Sequence, residues 1–159
     1  MPIDKRDPVI ADILQRLERL EEEKAILGTL YSYSHFHDTG RGEKWVGLFT
    51  ADATVDARRP KTRNTMKGHA AMRAYQAELK AKREPWHAMK HVMTSPRITI
   101  NGDTAEVEAY WLSVNNQTPQ RGPKMSAFGH YRDRLVKQNG QWLFKERIVT
   151  GEAYDNPEQ

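Results

Sequence analysis

The chain is predicted to fold as an α+β domain, with N-terminal helices packed on one curved, mixed or antiparallel sheet. Three observations carry this expectation. Apolar residues recur at spacings of three and four from Val9 to Tyr33, the period of an amphipathic helix. From Trp86 to Ala153 the pattern changes to alternation, the period of half-buried strands. Asn-Gly pairs at 101–102 and 139–140 punctuate that second half, and both residue types tolerate the positive φ of a hairpin turn. Helices followed by an antiparallel meander give segregated layers. A curved sheet covered by helices is a cone with a natural pocket at its open end.

The elements follow in order. Asp7-Pro8 starts the first helix, with a side-chain acceptor at the cap and proline at the first helical position. Val9, Ile10, Ile13, Leu14, Leu17 and Leu20 form its stripe, which resumes at Ala25, Ile26, Leu30 and Tyr33. One long helix, or two in tandem, runs to about His37, and Gly40 supplies the stop. A short helix over 42–49 buries Trp45, Leu48 and Phe49. "ADATVDAR" (51–58) is a short strand. Residues 68–84 form a third helix with Ala71, Met72, Tyr75 and Leu79 on one face, closed by Pro85. Strands are expected at 87–100, 104–116, 125–137 and 141–153. The second of these sets Ala105, Val107, Ala109, Trp111 and Ser113 against Glu106, Glu108, Tyr110 and Leu112. "NQTPQRGPK" (116–124) reads as a loop, and the last strand carries Trp142, Phe144 and Ile148. The division is a helical extension over 1–19, one domain over 20–153 and a frayed tail over 154–159.

Composition narrows the function classes. The 159 residues suit one domain and include no cysteine, which excludes disulfides, thiolate metal sites and thiol nucleophiles. No signal peptide and no membrane-length apolar run is visible, so a cytoplasmic, soluble protein is expected. The net charge is +4 and the pI is about 9.3. Basic residues are scattered among acidic ones, and their densest clusters are Arg58–Arg63 and Lys80–Arg83. These read as a loop and a solvated helix face, and no nucleic-acid partner is expected.

The chemistry concentrates in "YSYSHFHDTG" (31–40). On a helix Tyr31, Ser34, His35 and Asp38 share one face, with Tyr33 and His37 pointing elsewhere. Asp38 is then either part of a solvated helix end or a carboxylate emerging on the core side, where it needs a partner. The dipole of a helix C-terminus disfavours an acid. In "WHAMKHVMT" (86–94) alternation puts His87, Met89, His91 and Met93 on one face. An inward histidine beside a carboxylate can act as a general base. No H-E-x-x-H, P-loop or G-x-S-x-G pattern occurs, so no metal and no cofactor is expected.

The segments "YSYSHFHDTGRGEKWVGLFTADATVD", "KGHAAMRAY", "HVMTSPRITINGDTAEVEAYW" and "GHYRDRLVKQNGQWLFKERIV" resemble the SnoaL-like branch of the NTF2-like superfamily, over roughly residues 20–150. The resemblance implies an NTF2-like cone wrapped around a long helix. It also implies the Asp–His pair of polyketide cyclases, scytalone dehydratase, a bile-acid dehydratase and a dehydrochlorinase. The family aspartate, five residues after a tyrosine, falls on Asp38, with Tyr33 as that tyrosine. The family histidine falls on His91, with His87 as the alternative. The arginine of the bile-acid enzymes would fall on Gly151; the nearest arginine is Arg147. Their late acidic residue is also missing, with Ser113, Val114 and Asn115 in that region.

Two readings follow. One is an acid–base enzyme, a lyase or isomerase that dehydrates, cyclises or isomerises a hydrophobic, polycyclic or aromatic small molecule. His91 would be the base, Asp38 its orienting partner and Tyr33 a hydrogen-bond donor to substrate oxygen. Trp86, Met89, Trp111 and Phe128 would be pocket walls, and His87, Ser113, Asn115 and His130 polar contacts. The other is a non-catalytic binding or structural subunit, like the small subunits of ring-hydroxylating dioxygenases. A homo-oligomer, dimer or trimer, is expected either way, because Tyr110, Leu112 and Val114 expose apolar area on the face opposite Trp111.

Overall fold

A computed structural model describes residues 7–59, 62–84, 88–118 and 120–152. Helix α1 (Pro8–Asp38) is continuous. The Asp7 carboxylate accepts from the Val9 amide at 2.9 Å, with Pro8 in the first turn. Its leading half leaves Val9, Ile13, Leu17 and Leu20 exposed. The helix docks where Glu22 accepts from Trp142 Nε1 at 2.5 Å and from Lys137, and where Thr29 Oγ1 donates to the Trp142 carbonyl at 2.8 Å. Beyond that clamp Ile26, Leu30, Tyr33 and His37 form the buried stripe. Tyr33 keeps its place on the expected stripe, and His37, which the sequence reading left off it, extends the stripe by one turn.

Helix α2 (Gly42–Val46) buries Trp45 and Val46; Phe49 opens β1 (Phe49–Arg59) instead of closing that helix. Strand β2 (Thr62–Lys67) is an addition to the expected elements. It pairs antiparallel with β1 and buries only Met66, so an edge strand with solvent on most sides carried no alternation to read. Arg58 and Arg63 are not free cations of a loop. Both donate to Asp56, at 2.8 Å and 2.7 Å, and so tie the hairpin. Helix α3 (Gly68–Lys82) buries Met72 and Gln76.

Strands β3 (Met89–Asn101), β4 (Thr104–Thr118), β5 (Arg121–Gln138) and β6 (Gln141–Gly151) form the expected antiparallel meander. The six-stranded order is β2-β1-β6-β5-β4-β3, with β1 parallel to β6, so the sheet is mixed. Helix α1 touches both β3 and β6, and a sheet that reaches one helix from two non-adjacent strands must curl around it. The inward row Ala105, Val107, Ala109, Trp111 and Ser113 is buried as the alternation requires.

Two turns differ from expectation in detail. Asn101 pairs with Thr104, so the first turn is Gly102-Asp103 and only Gly102 takes positive φ. At the second, Asn139 and Gly140 both do, as a type I′ hairpin demands. The stretch 116–124 is not a loop, because Asn116 opposes Pro123 and Thr118 opposes Arg121. That arm runs past Met89, where β3 begins, and meets Ala88 through Asn116; a ribbon that extends beyond the sheet for most of its length shows no apolar face in its sequence. The proposed 154–159 tail lies outside the described residues.

Candidate active site

Asp38 is the last residue of α1, and its surroundings explain how a carboxylate survives there. Thr39 Oγ1 donates to the His35 carbonyl at 2.6 Å, and the Arg41 amide donates to the Phe36 carbonyl at 2.9 Å. Gly40 turns the chain with φ +70°, and a Cβ there would sit 3.0 Å from Arg83 Nη1. Arg83 Nη2 in turn donates to the Asp38 carbonyl at 2.8 Å. A guanidinium and a left-handed glycine thus cover carbonyls that would otherwise repel the acid.

The Asp38 side chain, 4% exposed, faces β3. His91 Nδ1 lies 2.6 Å from Oδ1, and the His91 backbone amide donates to Oδ2 at 2.7 Å. Both carboxylate oxygens are therefore held by one residue of the facing strand. Burial alone would raise the Asp38 pKa. The neighbouring His37 ring and the two bonds from His91 outweigh it, and the carboxyl is held well below its usual range. Donation from Nδ1 to a carboxylate leaves the Nε2 lone pair of His91 available. The His91 side chain is 15% exposed, less enclosed than its partner.

His37 is the candidate site residue that sequence reasoning did not single out. Its Nδ1 lies 3.5 Å from Asp38 Oδ1 without forming a hydrogen bond. Its ring stands edge-on to His91, with centroids 5.0 Å apart. Burial lowers its pKa, and the His91 and Arg83 charges act in the same direction against Asp38. The available signal was its place four residues after Tyr33 on the buried stripe. His37, Asp38 and His91 also bring three potential metal-ligating atoms within 4.8 Å of one another.

Tyr33 is buried. Its ring lies in the core against Trp45, Phe49 and Phe144, stacked 6.1 Å from His37. Burial pushes its phenol up to about 12, against the pull of Arg147. Arg147 is fully buried. Its Nε and Nη2 donate to Asp133 at 2.8 Å and 2.7 Å, and its Cζ lies 3.9 Å from the Tyr33 ring centroid and 4.1 Å from that of Tyr131. Burial would lower its pKa; Asp133 keeps it protonated. The last strand's arginine therefore underlies the site as a buried ion pair gripped by aromatic faces.

The remaining candidates divide by strand parity. Ser113 opposes His91 in the ladder, with its hydroxyl 2.8 Å from that of Ser126. The Trp111 ring lies 6.3 Å from that of His91, and Asn115 opposes Met89. These share the inner face. Phe128 and His130 do not, because they oppose Leu112 and Tyr110 on the outer face. There His130 pairs with Glu152 at 2.6 Å. Their expected place in the pocket is overturned by β5 register: Gly129 and Tyr131 are the inward residues. Trp86 and His87 lie outside the described residues. A cleft of about 510 Å³ opens between the end of α1, α2 and α3, where His37, Gln76, Leu79, Arg83 and Met89 line it.

Comparison with known proteins places this fold among relatives. A family model described as SnoaL-like domain matches residues 18–148. No curated protein sequence matches the chain. Among solved structures, an NTF2-like protein with a cystatin-like fold from Novosphingobium aromaticivorans superposes with a TM-score of 0.74 at 18% identity, over 97% of this chain and 96% of that one. A protein assigned as a scytalone dehydratase, from the same organism, gives 0.71 at 25% identity, over 85% and 87%. The beta subunit of an assigned aromatic-ring-hydroxylating dioxygenase, again from that organism, gives 0.73 at 18%, over 85% and 92%.

Proposed function

The chain belongs to the SnoaL-like domain family, and from that premise we propose that it is an acid–base enzyme, a lyase or isomerase acting on a hydrophobic carbonyl compound. The observation that carries this reading is the double hold of His91 on Asp38, through ring and backbone amide at 2.6 Å and 2.7 Å. A carboxylate fixed in this way orients the imidazole and stabilises its protonated form, leaving Nε2 to take a proton. In a dehydration, Nε2 removes the proton next to the carbonyl and the C–H electrons form the new double bond. The β-hydroxyl then leaves as water, with the same proton returned by the imidazolium. In an isomerisation the proton returns to carbon instead. Tyr33 supports the site from behind, stacked on His37. General acid–base help of this kind is typically worth about 10²–10⁴ in rate.

Deuterium exchange into 2-tetralone in D2O, followed by proton NMR, tests the step without knowledge of the natural substrate. Wild type should accelerate exchange and His91→Ala should not; equal rates for the two would remove the base. A second reading, a non-catalytic subunit, is favoured by the likeness to a dioxygenase beta subunit. It requires a second gene product to co-purify at fixed stoichiometry. For the enzyme we propose a homo-oligomer formed through the outer sheet face, where Val92 and Tyr110 are 45% and 54% exposed.

A further inference from the structure

Two buried polar atoms on the wall of one cleft have no partner among the described residues. They are His37 Nδ1 and Gln76 Nε2, on side chains of residues 7% and 9% exposed. Leaving a buried polar group unpaired is unfavourable. Both residues line the same cleft of about 510 Å³, a volume suited to a drug-sized ligand. The fold sets Gln76 there deliberately close, since a Cβ at Gly42 would lie 3.1 Å from Gln76 Cβ. Helix α2 meets α3 closely at this point, and a side chain at Gly42 would press on Gln76. Gln76 is packed into the wall at its stem, and its amide nitrogen has no partner among the described residues.

The charges around the cleft are unequal. Arg73, Lys80, Lys82 and Arg83 line it, against Glu43 and Glu84. Arg73 is matched by Glu43 at 3.1 Å and Lys82 by Glu78 at 2.5 Å. Arg83 spends one nitrogen on a neutral carbonyl, that of Asp38, and so keeps its full charge. Lys80 has no ion-pair partner among the described residues. Leu79, Ala77 and Met89 supply apolar wall. Hydrogen-bond donors thus outnumber acceptors on a partly apolar surface. Such a surface favours a ligand that brings oxygen acceptors and negative charge on a hydrophobic body.

We infer that this cleft is the binding subsite for a carboxylate-bearing substrate. Its acid group is held by the Gln76 amide with Lys80 and Arg83, and its apolar body lies toward Met89 and His37. The inference deepens the acid–base reading and rests on it for the chemistry, because the His37 wall stands one ring away from His91. The binding itself can be tested apart from turnover.

Calorimetry and amide-resolved NMR with 2-naphthoate and its neutral counterpart 2-naphthamide form that test. Naphthoate should bind at least about tenfold more tightly than naphthamide. It should perturb the amides of Gln76, Lys80 and Met89, and weaken as salt rises. Gln76→Leu should cut its affinity severalfold. Lys80→Ala, a surface change that keeps the fold, should do the same. Equal affinity for the two probes, shifts mapping elsewhere, or no effect of Lys80→Ala would overturn the subsite. Asp38→Asn should retain naphthoate binding. Naphthoate binding without any tetralone exchange would fail the acid–base reading alone. Exchange without naphthoate binding would fail only this one.

Discussion

Asp38 and His91 are joined twice across a helix end and a strand, Oδ1 to the ring Nδ1 at 2.6 Å and Oδ2 to the backbone amide at 2.7 Å. The second bond fixes the first. Because the strand amide cannot rotate, the carboxylate plane is set before the imidazole is, and the ring inherits its orientation.

Replacing Asp38 by Asn keeps the shape and removes the charge that stabilises an imidazolium. Tetralone exchange should fall by about 10²–10⁴, while circular dichroism and the unfolding transition remain those of a folded domain. An Asp38→Asn protein that exchanges at the wild-type rate would reduce the pair to a packing contact.

His37 makes stability depend on pH. Its folded pKa lies below the ordinary histidine value because burial disfavours the charged ring. The unfolded chain therefore binds the proton more readily. Its contribution is fully present above the unfolded value of about 6.5 and is lost as pH falls from there toward the folded value, at up to about 1.4 kcal/mol per pH unit. Asp38, depressed in the fold, adds a loss only below about pH 4. Urea unfolding at neutral and mildly acid pH should show the first slope, and His37→Phe should flatten it. An unchanged slope would assign the acid sensitivity elsewhere.

Arg147 and Asp133 are a fully buried pair. Removing one member strands the other, so Asp133→Asn or Arg147→Ala should cost about 3–5 kcal/mol. The double variant Asp133→Leu/Arg147→Met should be less destabilised than Asp133→Leu and Arg147→Met added together, because neither charge is left alone. A purely additive double-mutant cycle would show that the two groups do not act as a pair.

Gly129 faces Trp111 and Gly151 in the sheet. A Cβ there would lie 1.8 Å from the Thr150 carbonyl oxygen. Gly129→Ala must push β5 from β6 and should cost about 3 kcal/mol, read as a lower urea midpoint. Gly122→Ala, where a Cβ meets nothing within 4 Å, is the matched control and should change little.

Membership in the sequence pattern and position in space parted at identifiable residues. The helix start at Asp7-Pro8, the inward row of β4 and the Asn139-Gly140 turn are local decisions, made by capping chemistry, alternation and positive φ, and they stood as read. In β6 alternation from Trp142 and Phe144 would carry Ile148 inward. Lys145 has no counterpart, since Leu135 pairs with Phe144 and Arg134 with Glu146. That one-residue bulge turns Arg147 into the core. A bulge inverts every later side chain, and nothing in "QWLFKERIV" announces it.

The sequence by itself determined the order of the helices and of every strand but β2, the family and the two residues now found in contact, Asp38 and His91, because motif spacing and local periodicity survive in one dimension. Only the tertiary structure decided that His37 and Gln76 share a cleft, that Phe128 and His130 face away from it, and that Arg147 lies buried beneath Tyr33. Those facts depend on strand register and on how α2 and α3 cross, which are set by long-range packing and leave no periodic trace along the chain.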